Sequence, residues 1–162
     1  MSQYAQPLAD ALLAQKLRIS SAESCTGGGI ASALTDVAGS SSYFEFGFIT
    51  YANEAKSQLL GVPAELIEQH GAVSREVVEA MALGALKAAK ADIALSSSGI
   101  AGPGGGSAEK PVGTVWLAWA WCEEGVIHCQ SECYLFSGNR TAVRDQAINK
   151  SLQQALELSL LA

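Results

Sequence analysis

The sequence predicts an α/β fold, a three-layer α/β/α sandwich on a mixed, mostly parallel sheet of about five strands. Three observations carry that expectation. In the first two thirds of the chain, short apolar or β-branched segments alternate with segments of helical periodicity, the pattern of parallel strands joined by helices that cover both faces of a sheet. Later, two long strand-like segments flank Glu123-Glu124-Gly125, a hairpin signal, so at least one strand runs antiparallel. No internal repeat, linker-like stretch or low-complexity tail interrupts the pattern, and residues 1–162 read as a single domain.

Taken in order, Ser2 to Gln15 places Leu8, Ala9, Leu12 and Leu13 at helical spacing. Arg18 to Ala22 is a short strand that runs into a polar, glycine-rich turn, and Gly28 to Val37 resumes a helical pattern through Ile30, Ala31, Leu34 and Val37. Phe44 to Tyr51 is aromatic and β-branched, hence a strand. Asn53 is the expected N-cap of a short helix, Glu54 to Leu60, closed by Gly61. Pro63 opens another, to about His70. Ser74 caps a long helix from Arg75 to Lys90, with Val77, Val78, Met81, Leu83 and Leu86 available to the core. Ile93 to Ser98 is the third strand, and Gly99 to Gly106 is too rich in glycine for a regular element. Val112 to Trp121 and Val126 to Phe136 are the hairpin strands, and Asn139 caps a last helix from Arg140 to about Leu158.

Bulk properties restrict the function classes. Hydrophobic residues make up 49% of the chain and charged residues 16%, a globular balance with no resemblance to disorder. The net charge of −6 opposes non-specific binding to nucleic acid or anionic membrane. A small anionic ligand remains compatible, because one or two local Arg or Lys residues suffice to hold a phosphate. The start of the chain lacks the basic and apolar regions of a signal peptide, and no apolar run approaches the ~20 residues of a membrane span. The expected compartment is the cytoplasm, with Cys25, Cys122, Cys129 and Cys133 reduced. No P-loop, G-x-G-x-x-G, H-E-x-x-H or G-x-S-x-G motif is present, and two histidines offer little for a zinc site. No metal and no cofactor is expected.

Three polar clusters follow predicted strands: Glu23-Ser24-Cys25-Thr26-Gly27-Gly28-Gly29, Thr50-Tyr51-Ala52-Asn53-Glu54-Ala55-Lys56, and Ser98-Gly99-Ile100-Ala101-Gly102-Pro103. In a parallel sheet the loops after the strands share one edge, so the clusters should meet there. Ser24, just before a helix, reads either as an N-cap or as a nucleophile whose oxyanion is received by the amides of Cys25, Thr26 and Gly27. Cys25 is a rival nucleophile with no evident histidine to activate it. Lys56 reads as an ordinary exposed lysine or as a base. With Asn53 as N-cap it occupies the third helical position, where the helix dipole lowers the amine's pKa. A lysine at its ordinary pKa is neutral in under about a thousandth of molecules at pH 7, so a base needs that depression. Arg140 and Arg144 sit near the start of the last helix; Arg140 can reach a phosphate through its planar fork, or either can simply pair with Asp145 or another surface acid. The candidate substrate-binding set is Thr26, Gly27 and Gly28, Asn53, Ser98, Gly99 and Gly102, and Arg140.

These clusters, with His70-Gly71-Ala72-Val73-Ser74 and Lys110-Pro111-Val112-Gly113-Thr114-Val115, resemble the CinA C-terminal domain family, the nicotinamide-nucleotide amidases. The resemblance runs from about residue 5 to 158, in order, and the chain looks like the stand-alone form. It implies an α/β/α homodimer and a metal-free serine–lysine amidohydrolase. The implied reaction converts nicotinamide mononucleotide to nicotinic acid mononucleotide and ammonia in pyridine nucleotide recycling. Carried over by motif, Ser24 is similar to the nucleophile and Lys56 to the base, with Tyr51 and Arg140 in supporting or substrate-binding positions. Gly104 departs from the acidic residue of some relatives. The alternatives are a non-catalytic nucleotide-binding regulatory module and an amidase acting on another small amide.

Overall fold

The computed structural model describes residues 1–161. Helix α1 (Ala5–Gln15) leads to strand β1 (Ile19–Glu23), helix α2 (Gly29–Thr35), a single 3-10 turn at Ser40–Ser42 and strand β2 (Phe44–Ile49). Helices α3 (Asn53–Leu60), α4 (Ala64–His70) and α5 (Arg75–Ala89) follow. Strands β3 (Ile93–Gly99), β4 (Thr114–Glu123) and β5 (Val126–Leu135) then precede the long closing helix α6 (Arg140–Leu161). The sheet order is β2-β1-β3-β4-β5.

β1 pairs in parallel with both β2 and β3, running from Ile19 opposite Ile93 to Glu23 opposite Ser97. β4 runs against β3 and β5 against β4. Only β4 points the other way, so the sheet is mixed with most strands aligned. The hairpin turns through Glu124 and Gly125, both at positive φ, as a two-residue connection in a twisted ribbon requires.

Both faces are covered. α1, α2 and α6 bury Leu8, Leu12, Ile30, Leu34, Ala147 and Leu152 against Ile19, Leu95, Leu117 and Trp119 of the sheet. α3, α4 and α5 bury Leu60, Ile67, Val78 and Met81 against Ala22, Ala94, Ala118 and Ala120. Small residues on that second face let the helices approach closely. Gly84 of α5 is the extreme case: a Cβ there would stand 2.1 Å from the carbonyl oxygen of Leu60.

Central strands β1 and β3 are buried, up to the partly exposed Gly99 that ends β3, although they carry five serines, Ser20 and Ser21, then Ser96, Ser97 and Ser98. Their hydroxyls are satisfied within the protein. Ser20 donates to the carbonyl of Phe46 (2.8 Å) and Ser96 to that of Val78 (2.6 Å). Ser74 caps α5 through the amide of Val77 and Asn139 caps α6 through that of Ala142, as expected.

Two caps differ from expectation. Asn53 is not the N-cap of α3: the extended Ala52 holds that place, and its carbonyl accepts from the amides of Ala55 and Lys56. Asn53 is therefore the first helical residue and Lys56 the fourth. Nor does Ser24 cap α2, which begins five residues later behind Gly28. The glycines Gly27 and Gly28 lie at φ 56° and 99°, a left-handed stretch that delays the helix and lifts Ser24 away from its amino end.

Candidate active site

The carboxyl ends of β1, β2 and β3 share one edge of the sheet, and the loops that follow them meet there. Ser24 follows β1, Thr50 and Tyr51 follow β2, and the glycine-rich segment follows β3. The first turn of α3 brings Lys56 back over this edge. Its Nζ lies 3.1 Å from Ser24 Oγ, 2.8 Å from the carbonyl oxygen of Thr50 and 3.2 Å from that of Tyr51. Lys56 has 0% exposure, while Ser24 retains 9%.

An amine so enclosed is altered by its surroundings. Burial disfavours the charged form and holds the Lys56 pKa below the ordinary lysine value, opposed by the nearby Cys25 thiol. Desolvation, rather than the helix dipole inferred from a third-position placement, is the leading cause. The geometry suits the neutral amine. Its two N–H groups donate to the two carbonyls, and its lone pair is left for the hydroxyl of Ser24. Cys25 differs: burial pushes its thiol up to about 11, so it is a packed, protonated neighbour rather than a thiolate.

The turn carrying Ser24 is held from below and from the side. The Glu23 carboxylate accepts from the Thr26 hydroxyl (2.6 Å) and from the amides of Gly28 (3.1 Å), Ile30 (2.9 Å) and Ala31 (2.8 Å). Arg144 of α6 donates from Nη2 to the carbonyl of Thr26 at 3.1 Å. Arg140, one turn earlier, donates from Nη1 to the carbonyl of Gly102 (2.8 Å) and from Nη2 to the hydroxyl of Tyr51 (3.2 Å). It thereby ties the loop after β3 to the loop after β2. Glu23 heads the first polar cluster of the sequence, but the sequence assigns it no role and does not show its hydrogen bonds. The capping-like spacing from Glu23 to the helix was the available signal, masked because the intervening glycines made Ser24 the apparent cap.

The candidate binding residues fall into two groups. Tyr51, 61% exposed, Asn53 and Arg140 are open to solvent. Thr26 and Ser98 are buried, their hydroxyls committed to Glu23 and to the carbonyl of Ala72 (2.7 Å), so their side chains serve the fold. The amide of Gly27 donates to Ser24 O and that of Gly28 to Glu23. This corrects the expected oxyanion donors: among the described residues the amides of Cys25 and Thr26 donate to no other residue, whereas that of Gly27 is already engaged. Gly99 sits in the β3–β4 ladder opposite Val115, where a Cβ would approach Val115 to 2.7 Å. Among the described residues no group of three metal-ligating side chains occurs, and no helix is long and apolar enough to cross a membrane.

Comparisons with known proteins point one way. The family model described as the CinA C-terminal domain matches residues 1–159. A nicotinamide-nucleotide amidohydrolase PncC from Escherichia coli K12 is 56% identical over 154 residues, covering 94% of this chain and 91% of the relative. One of the same name from Pseudomonas putida is 53% identical over 141 residues, covering 87% and 86%. The crystal structure of a CinA superfamily protein from Klebsiella pneumoniae superposes with a TM-score of 0.91 at 38% identity, covering 99% of this chain and 98% of that one.

Proposed function

The chain belongs to the CinA C-terminal domain family, and from that premise we propose that it hydrolyses nicotinamide mononucleotide to nicotinic acid mononucleotide and ammonia through Ser24 and Lys56. The observation that carries the mechanism is the 3.1 Å approach of a fully buried amine to the hydroxyl of Ser24.

Neutral Lys56 takes the Ser24 proton as Oγ attacks the carboxamide carbon. The amides of Cys25 and Thr26 receive the oxyanion. Lys56 then returns the proton to the departing nitrogen, which leaves as ammonia. Water, deprotonated by the same amine, cleaves the acyl ester and frees the carboxylate. Arg140 keeps unused N–H donors beside the exposed Tyr51, which supports reading it as the residue that meets the phosphate. The reaction serves pyridine nucleotide recycling in the cytoplasm.

A homodimer fits the exposure of Phe46, Ile49 and Leu59 along edge strand β2 and α3, each more than half exposed. Light scattering that finds a monomer at working concentration would remove that part of the reading.

The test is ammonia release from nicotinamide mononucleotide by wild type and Ser24→Ala, with free nicotinamide and glutamine as competing substrates. Wild type should turn over the mononucleotide in preference, and Ser24→Ala should be inactive at an unchanged melting temperature. Near-normal turnover in Ser24→Ala removes the nucleophile. Tight nucleotide binding by a wild type that releases no ammonia replaces the enzyme with a binding module.

A further inference from the structure

Glu23 ends β1, directly before Ser24, and is fully buried. No cation pairs with its carboxylate among the described residues. Five donors hold it instead. Oε2 accepts from the Thr26 hydroxyl (2.6 Å) and the amides of Gly28 (3.1 Å) and Ile30 (2.9 Å). Oε1 accepts from the amide of Ala31 (2.8 Å) and the Ser21 hydroxyl (3.4 Å).

A carboxylate only accepts, so the single hydroxyl proton of Thr26 must point at Glu23. Ser97 Oγ, 2.7 Å from Thr26 Oγ1, must then donate to Thr26. Glu23 therefore sets the direction of a chain that runs from β3, through the nucleophile turn, back to β1. Its amide donors lie on the far side of that turn, in Gly28 and the start of α2. The turn is thus closed around Ser24 by one side chain. Two left-handed glycines would otherwise leave it loose.

We infer that Glu23 is the positioning residue of the reaction, fixing the Ser24 turn so that Oγ stays within reach of Lys56 Nζ and filling the amino end of α2 so that the oxyanion falls to Cys25 and Thr26. The inference rests on the nucleophilic role proposed for Ser24. Glu23 does not touch the reacting atoms. Removing its grip moves the nucleophile while the surfaces that bind the nucleotide stay in place, and displacement of a reacting group by about 1 Å costs on the order of 100-fold.

Steady-state kinetics on nicotinamide mononucleotide, each variant assayed well below its own melting temperature, test this. Glu23→Gln keeps the volume but turns an amide donor toward N–H groups. Thr26→Val keeps the shape but removes the hydroxyl. Both should lower kcat by ~10–100-fold with KM within ~3-fold of wild type. Thr26→Ser, which restores the hydroxyl, should recover most of what Thr26→Val loses. If Glu23→Gln does not fold, the Thr26→Val and Thr26→Ser pair decides by the same criteria. A kcat within ~3-fold of wild type in Glu23→Gln and Thr26→Val, beside an inactive Ser24→Ala, overturns the positioning role alone. A rise in KM with kcat unchanged overturns it too, by placing Glu23 in binding. Turnover by Ser24→Ala overturns both the positioning role and the nucleophile on which it depends.

Discussion

Replacing Lys56 by arginine separates a base from a fixed positive charge. Arginine retains the cation beside Ser24 but stays protonated at any working pH and offers no lone pair. In the native site two carbonyls, at 2.8 and 3.2 Å, absorb two N–H groups, and the third direction from Nζ faces Ser24 Oγ at 3.1 Å. If that direction carries a lone pair in the active form, Lys56→Arg should lose at least ~100-fold in kcat/KM, about 2.7 kcal/mol of barrier. Lys56 is fully buried, so the larger guanidinium of Lys56→Arg should also destabilise the fold by ~1–3 kcal/mol. Lys56→Met, unbranched and uncharged, controls for that overpacking and should be equally inactive. The assay is ammonia release across pH 6 to 10 together with thermal unfolding, each rate compared at a temperature where the variant is folded. The wild-type rate should climb with pH through a lysine pKa below the ordinary ~10.4 and fall away on the acid side, where the amine is charged. Folding stability should rise over the same interval, between the lowered folded pKa and the ordinary unfolded one, because there the unfolded chain binds the extra proton. A Lys56→Arg enzyme within tenfold of wild type would refute the base and leave the amine as an electrostatic anchor.

Other expectations concern neighbouring features. Arg140→Ala removes a charge-assisted contact worth ~1.5–3 kcal/mol and should raise KM for the mononucleotide by ~10–150-fold while leaving the phosphate-free riboside little affected; equal losses on both compounds would place Arg140 outside phosphate binding. Gly84→Ala gains ~1 kcal/mol of helix propensity yet should be net destabilising in chemical denaturation, since its Cβ would meet the Leu60 carbonyl at 2.1 Å. A stability equal to or above wild type would mean that α3 and α5 separate at no cost. Iodoacetamide should alkylate the exposed Cys122 and Cys133 without loss of activity, because the Cys25 thiol is buried and pushed up to about 11; rapid inactivation would reopen Cys25 as the nucleophile.

The layer architecture and the meeting of the three polar clusters were legible because they depend on periodicity and on the shared edge of parallel strands. All eleven main elements occur in the expected order, and most boundaries agree within two residues. The details that escaped are those decided by backbone dihedrals and by distant partners. Nothing in Asn53 itself says that Ala52, with its extended backbone, starts α3 one residue early. The pair Gly27-Gly28 reads as a loose turn, but its left-handed φ values push α2 away from Ser24 and hand the capping to Glu23. Glu23 could not be ranked from sequence, because an acidic residue at a strand end is ordinarily solvated. Its burial appears only when Thr26, Ile30 and Ala31 close over it. Likewise the grip of Arg144 on Thr26 joins residues 118 apart and leaves no local pattern.

Two of the three neighbours that cradle the Lys56 amine belong to the polypeptide backbone itself. The identities of residues 50 and 51 are therefore almost irrelevant to where that amine comes to rest, provided the chain still leaves β2 along the same path. The pocket for the proton acceptor can drift in side-chain composition without drifting in shape. Conversely, an insertion or deletion between Ile49 and Lys56 would dismantle it at a stroke, even if every residue named in the chemistry were kept.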